Sequence, residues 1–203
     1  MNRKTLIAAS SLLLLLPALR LQAEPTTFVV TPDSSMVTFV SVAPLETFDG
    51  TTNQLSGLFS LEPGNLGAGV TGTLTVQMRD LTTGLGVRDN HMKKNHLQTD
   101  LYPVSIFVPT AVKQGPDSLA SGEPAKLILT GIFTLHGMTR RIVVQVDALW
   151  NRDGDRLQVT AKFPVRLADY SIPRPQFLTM RLGEVQQVTV AFTASVRKNM
   201  ASQ

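Results

Sequence analysis

The chain of 203 residues contains no cysteine. That excludes disulfides, thiolate metal sites, cysteine nucleophiles and a lipid-modified N-terminal cysteine. Aromatic residues make up only 6% of it, so few large rings are available to fill a core. No apolar run reaches the ~20 residues that a membrane-spanning helix needs. Nor does charge of one sign prevail. The formal net charge is +4, with 19 basic and 15 acidic residues. Three of the basic residues, Arg3, Lys4 and Arg20, sit in the first 23 positions, where there is no acid, so the remainder carries 16 against 15. Beyond the pairs Lys93-Lys94, Arg140-Arg141 and Arg197-Lys198 there is no basic run. A nucleic-acid surface needs a concentrated basic stripe, so nucleic acid drops out as a partner.

What is present is a hydrophobic share of 43%, enough to bury a core. Residues 1–23 read as a cleaved secretory signal. Arg3 and Lys4 supply the positive start, residues 6–16 the apolar middle, and Leu21-Gln22-Ala23 a small residue before the cut. Residues 24–203 are then one exported domain, directed to the periplasm. Export makes cytosolic nucleotide cofactors improbable, and no cofactor is expected.

The mature chain is dominated by a period of two. Leu74, Val76 and Met78 alternate with Thr73, Thr75 and Gln77. Ile142, Val144, Val146 and Ala148 form a second such row, broken on its polar side by Val143. Leu157, Val159, Ala161, Phe163, Val165 and Leu167 form a third, and Val188, Val190, Phe192, Ala194 and Val196 a fourth. Each is a strand with one apolar and one polar face, the signature of antiparallel sheet wet on one side. Further strands are expected at 26–31, 36–42, 55–61, 104–112 and 126–135. Turn signals lie between them, among them Pro63-Gly64-Asn65, Gly115-Pro116-Asp117 and Asp153-Gly154-Asp155. Eight or nine strands suit a closed barrel or a sandwich. Polar residues on the outward rows, Gln77, Arg141, Gln145, Lys162 and Arg166, argue against a barrel that crosses a membrane.

One stretch, VRDNHMKKNHLQTD from Val87, has no alternation and predicts a short helix near residues 87–99, with Asp89 as its cap. His91 and His96 are five apart, so on an α-helix they point about 140° away from each other, a spacing that does not suit a metal pair. No metal site is expected. His136-Gly137 sits between two strand patterns and suits a tight turn. His136 and His91 are the candidates for a hydrolase, but no nucleophile, base and orienting group can be assembled around either, so no catalytic residue is assigned. Arg88 next to Asp89 fits either an anion clamp for a ligand headgroup or a structural salt bridge. The stretch YSIPRPQ from Tyr170, with Arg174, reads as a rim loop.

These segments together resemble the YceI-like family. Thr82 to Phe107, TTGLGVRDNHMKKNHLQTDLYPVSIF, is similar to its T-G-x-x-x-R-D-x-H-L segment, polar helix and Y-P-x-x-x-F. Gly131 to Val144, GIFTLHGMTRRIVV, is similar to its G-x-L-T-[IL]-H-G-[VM]-T strand–turn–strand. Asp33-Ser34-Ser35, Phe39, Gly50 and Gly57 fit its opening strands, and the resemblance runs from Phe28 to Ala194. The chain departs from the family at Asn95–Asp100, where many members have an acidic-aromatic run, and at Ser34-Ser35, where many have His-Ser.

The resemblance implies an all-β, extended eight-stranded antiparallel lipocalin-like barrel. It also implies an exported, non-enzymatic binding protein that holds an amphiphilic polyisoprenoid, a quinone-type or prenyl lipid, in an apolar lumen. The lumen candidates are Leu74, Val76, Met78, Val144, Val146, Val159, Ala161, Phe163, Val190 and Phe192. The headgroup or rim candidates are Arg88, His91, His136 and Arg174. A ligand-free structural or interaction barrel is the alternative. No stable membrane span remains after signal cleavage, and a homodimer stays open.

Overall fold

Residues 24–42, 47–177 and 180–198 are described by a computed structural model of the chain. The expected signal at 1–23 lies outside the described residues. The strands are β1 (Thr26–Val30), β2 (Ser35–Val42), β3 (Thr47–Thr52), β4 (Leu55–Leu61), β5 (Val70–Gln77) and β6 (Val104–Gln114). They continue as β7 (Pro124–Leu135), β8 (Met138–Asn151), β9 (Arg156–Arg166), β10 (Gln176–Phe177), β11 (Met180–Arg181) and β12 (Val185–Val196). The hydrogen-bonded order is β1-β4-β5-β6-β7-β8-β9-β12, and β12 pairs back onto β1, which closes the sheet into a barrel. Every one of these pairings is antiparallel.

Two of the eight staves are interrupted. β2 continues β1 after a 3₁₀ turn at Pro32–Ser34, and β3 leads into β4 across Asn53-Gln54. Phe28 faces Val196 and Ser35 faces Phe192, so the turn inserts three extra residues against an unbroken β12. Proline starts that turn because it lacks the N–H a ladder would use. β3 was not legible as a strand, since TFDGTT carries neither a clear alternation nor a β-branched run.

The expected alternation holds along the long strands. Val144, Val146 and Ala148 are buried while Arg141, Gln145 and Asp147 are exposed. Val143, the residue that broke the polar row, points outward and is 58% exposed. The hairpin between β7 and β8 has only His136 and Gly137 at its tip, with φ of 50° and 72°. Two positive φ values in a two-residue loop make the turn whose twist matches that of the strands it joins.

One end of the barrel is plugged. Phe28 stacks on Phe59 with ring centroids 5.3 Å apart, and Trp150 meets Phe28 edge-on at 5.3 Å. Leu66 and Leu119 enter from two loops that are tied together, the N–H of Leu66 donating to Asp117 O at 2.8 Å and that of Leu119 to Pro63 O at 2.7 Å. All of these side chains are buried, and each is worth roughly 1.5–3 kcal/mol on leaving water.

The other end carries the non-β segment. An α-helix, α1 (Gly86–His91), runs directly into a π-helical turn, Met92–His96, in which the N–H of Leu97 reaches back five residues to Met92 O at 2.9 Å. The helix is where the sequence places it, but Asp89 is not its cap. Asp89 lies inside α1, and its carboxylate reaches back over the preceding loop. It accepts from the Thr83 N–H at 2.7 Å and from the Thr82 and Thr83 hydroxyls, each at 2.6 Å. The residue at the cap position is Leu85, which has no side chain able to accept.

Desolvation would raise the Asp89 pKa. The hydrogen bonds from Thr82 and Thr83, with the charge of Lys93, outweigh it and hold the carboxyl below the usual range. The carboxylate therefore stabilises the fold above the ordinary carboxylate pKa, and that contribution is lost as pH falls through the lowered value. Urea midpoints measured from about pH 6 down to pH 3 should fall more steeply for the wild type than for Asp89→Asn. Parallel curves would remove this role for Asp89.

The β4–β5 pair depends on a glycine in a conformation closed to other residues. Gly72 has φ of 136°, and a Cβ there would lie 2.3 Å from Leu58 O and 2.4 Å from Phe59 Cα. Gly72→Ala should cost more than about 2 kcal/mol in denaturant unfolding, since it combines backbone strain with overlap against backbone.

Candidate functional site

The inward faces of the strands do not fill the space they enclose. Two cavities occupy the lumen and share Val76, Ser105 and Phe133 in their walls. The inner one, about 120 Å³, is lined by apolar side chains from β4 through β9 and from β12, together with Leu66 and Leu119 of the plug. The outer one is about 1160 Å³ and opens towards α1 and the π turn. That volume lies somewhat above the ~300–1,000 Å³ typical of ligand pockets.

Glycines help keep the lumen open. Gly50 on β3 lies opposite Phe39 on β2, and a Cβ at Gly50 would sit 2.1 Å from that ring. Gly131 on β7 lies opposite Pro109, and a Cβ there would sit 2.3 Å from the ring of Phe107, two residues earlier on β6. Each ring occupies space that a side chain on the neighbouring strand would otherwise take. Phe39 lines the outer chamber and Phe107 the inner one.

Nine of the ten lumen candidates, Leu74, Val76, Val144, Val146, Val159, Ala161, Phe163, Val190 and Phe192, line the inner chamber. Met78 lines the outer one, and it sits just past β5 on a 3₁₀ turn. Alternation located these residues because a period of two places all of them on one face. It also reached Leu167, the end of the third row, which lines the outer chamber from a 3₁₀ turn, but it did not locate Met92, Leu97 and Ile172, which line that chamber from non-β segments.

The rim candidates divide. Arg88 and His91 line the outer chamber. The Arg88 guanidinium lies over the Phe48 ring, 4.0 Å from its centroid, and donates to Thr83 Oγ1 at 2.8 Å and Thr83 O at 3.0 Å. His136 and Arg174 are in the wall of neither chamber. His136 is buried beneath its hairpin, with Nδ1 2.9 Å from Tyr170 O and Nε2 3.0 Å from Gln98 Oε1. It fastens the hairpin to the segments that follow the helix and β9. Arg174 donates to Leu182 O and pairs with Glu184 at 3.9 Å, which holds the segment after Tyr170 onto the start of β12.

His91 and His96 correct an expectation. They were to point apart, yet their rings are 4.8 Å between centroids. The π turn is the reason: its i→i+5 hydrogen bonds bring residues five apart onto one face, which α-helical geometry does not. Among the described residues, no group of three or more His, Asp or Glu comes together around them as a metal site would require.

His96 is 9% exposed and lines the outer chamber. Its Nδ1 lies 2.8 Å from Pro173 O. Burial pushes the imidazole pKa down and His91 adds to this, while the bond to Pro173 partly opposes it. The ring is thus held towards its neutral form. Across the chamber wall, Gln186 on β12 is 6% exposed and donates from Nε2 to Gly183 O at 2.7 Å. The second polar atom of each side chain, His96 Nε2 and Gln186 Oε1, is buried without a hydrogen-bond partner. Neither is a headgroup candidate from sequence: His96 stands there only as half of a metal pair, and Gln186, though in phase with Val188 and Val190, precedes the row read as apolar.

Known proteins share this architecture. BcnA of Burkholderia cenocepacia aligns with a TM-score of 0.68 at 18% identity, over 82% of this chain and 99% of its own. A polyisoprenoid-binding domain from Saccharophagus degradans, implicated in plant cell wall breakdown, aligns with a TM-score of 0.66 at 17% identity, over 86% of this chain and 100% of its own. At such identities the likeness shows the fold. A UPF0312 protein of Photorhabdus laumondii is 26% identical over 129 residues, which is 60% of this chain; the chain spans 62% of the length of that curated relative. The sequence pattern of the YceI-like domain matches residues 28–196, from within β1 to the last residue of β12. With that pattern matched over the whole closed barrel, the chain belongs to the YceI-like domain family.

Proposed function

We propose that this protein is an exported, non-enzymatic carrier that holds an amphiphilic polyisoprenoid in its barrel. The observation that carries the reading is the pair of adjoining chambers, apolar inside and fringed at the outer end by Arg88, His91, His96 and Gln186. A prenyl chain is flexible and wholly apolar, so it can thread from a wide chamber into a narrow one. At about 0.8 kcal/mol per buried methylene, each five-carbon unit contributes on the order of 4 kcal/mol at most. Several units then exceed the roughly 4–15 kcal/mol cost of association. The polar end of the amphiphile remains at the outer chamber, where the polar side chains are.

Two further considerations support the reading. The structurally similar domain from Saccharophagus degradans is described as polyisoprenoid-binding. The N-terminal 23 residues have the pattern of a secretory signal, which would place the carrier in the periplasm, and none of the described helices is long and apolar enough to cross a membrane.

Organic extraction and mass spectrometry of protein purified from its own periplasm should yield a stoichiometric prenyl lipid. An empty extract, with no uptake of added isoprenoids by folded protein, would favour a ligand-free interaction barrel instead. Ala161 lies in the wall of the inner chamber. Ala161→Phe should lower affinity for long prenyl chains by about tenfold or more while sparing short ones, because the added ring takes space only the far end of a long chain uses. Titration with a prenyl series of increasing length checks this.

A further inference from the structure

We propose that the outer chamber recognises a ligand head that donates hydrogen bonds, a neutral hydroxyl carried by an isoprenoid alcohol or phenol, through His96 Nε2 and Gln186 Oε1. This rests on the lumen holding an isoprenoid, and it narrows which kind.

The argument runs from donors and acceptors. A backbone carbonyl can only accept, so the Nδ1 of His96 that faces Pro173 O must carry the ring proton. In the neutral ring Nε2 is then a bare lone pair, and burial holds the ring neutral. The Gln186 amide is fixed the same way. Its Nε2 donates to Gly183 O, so Oε1 is the atom left over. Both unpartnered atoms are therefore acceptors, both belong to side chains at least nine-tenths buried, and both side chains line the same chamber.

A buried acceptor without a donor is costly to keep. Both atoms lie just behind the chamber wall, out of contact with its open space, so a ligand head offering an O–H satisfies them on a small turn of either side chain, whereas a head offering only acceptors does not. An ether or a quinone carbonyl would set lone pair against lone pair. A phosphate would bring charge to a neutral imidazole nitrogen and an amide oxygen. Two arginines stand in this wall: Arg88 is already lodged against Phe48 and Thr83, and Arg181 donates to Gln176 Oε1 at 3.2 Å.

The test uses three probes with one chain and different heads: geranylgeraniol, its methyl ether and its monophosphate. Each is titrated into the full-length mature protein after delipidation. The alcohol should bind at least about tenfold more tightly than the ether, which keeps the shape but loses the donor. In His96→Phe, which keeps a ring but removes the acceptor, the alcohol-to-ether ratio should fall towards one. Gln186→Met is the second variant, read in the same way, and the comparison in wild type needs no variant at all. Equal affinity for alcohol and ether in the wild type, or tightest binding of the phosphate, would overturn the proposal while leaving the lumen as an isoprenoid site. Failure of all three probes to bind would instead bring down the carrier reading on which it stands.

Discussion

The whole structure depends on the closure of the backbone ladder where β12 meets β1. Phe28 opposite Val196 and Val29 opposite Ser195, carried on along the same stave by six pairs between β2 and β12, turn an open sheet into a ring. An open sheet of this length would leave two rows of unpaired N–H and C=O groups and could collapse onto itself as a sandwich, its inner faces packed together. Closure satisfies those groups and holds opposite walls apart. A cavity can then persist, because the walls are tied around the circumference and need not meet across it. The interruption of β1/β2 and of β3/β4 belongs to the same geometry. The inserted turn at Pro32–Ser34 bends the stave, which lets β2 and β3 extend the wall beside the outer chamber.

Given a ring, the size of the lumen follows from which side chains stand on its inner face. Valine, leucine and alanine dominate, and five of the phenylalanines fall into two groups. Phe28 is stacked on Phe59 and edge-on to Trp150, with Phe192 edge-on to Phe59, and this group excludes space at the plugged end. Phe39 and Phe107 lie over glycines and yield it. The same residue type therefore closes one end and lines an open chamber elsewhere, according to what lies across from it on the neighbouring strand.

The outer chamber has a different character because its wall is partly non-β. Its polar side chains come mostly from α1, the π turn, the short β10–β11 pair and the start of β12, segments held by specific side chains more than by a long ladder. Asp89 ties the helix to the loop before it, His136 ties the β7–β8 hairpin to what lies beneath it, and Arg174 ties the segment after Tyr170 to β12. Several residues that look chemical in the sequence, His136 and Arg174 among them, are placed as fasteners. The polar atoms left over in the chamber belong to His96 and Gln186, which look ordinary in the sequence.

Much of the barrel was legible from the chain alone, because a strand with one wet face writes its orientation directly into a period of two. The rows through Val144 and Val146, through Val159 and Ala161, and through Val190 and Phe192 are all on the side where alternation puts them. The His136-Gly137 turn was equally local, since two residues between two strands decide their own dihedral angles. The existence of the helix, and its place, were local as well. What tertiary structure alone decided is what depends on atoms far apart in sequence. Closure over sandwich needed β12 to find β1, a pairing across nearly the whole chain. The π turn that brings His91 beside His96, against the α-helical expectation, exists in a segment whose His96 is held by Pro173, 77 residues away. The space beside Phe39 and Phe107 depends on each ring finding a glycine on the adjacent strand. Side-chain periodicity is a property of the backbone's own repeat, so sequence carries it; cavity, register and leftover hydrogen-bonding capacity are properties of what meets across the fold, and a linear pattern does not contain them.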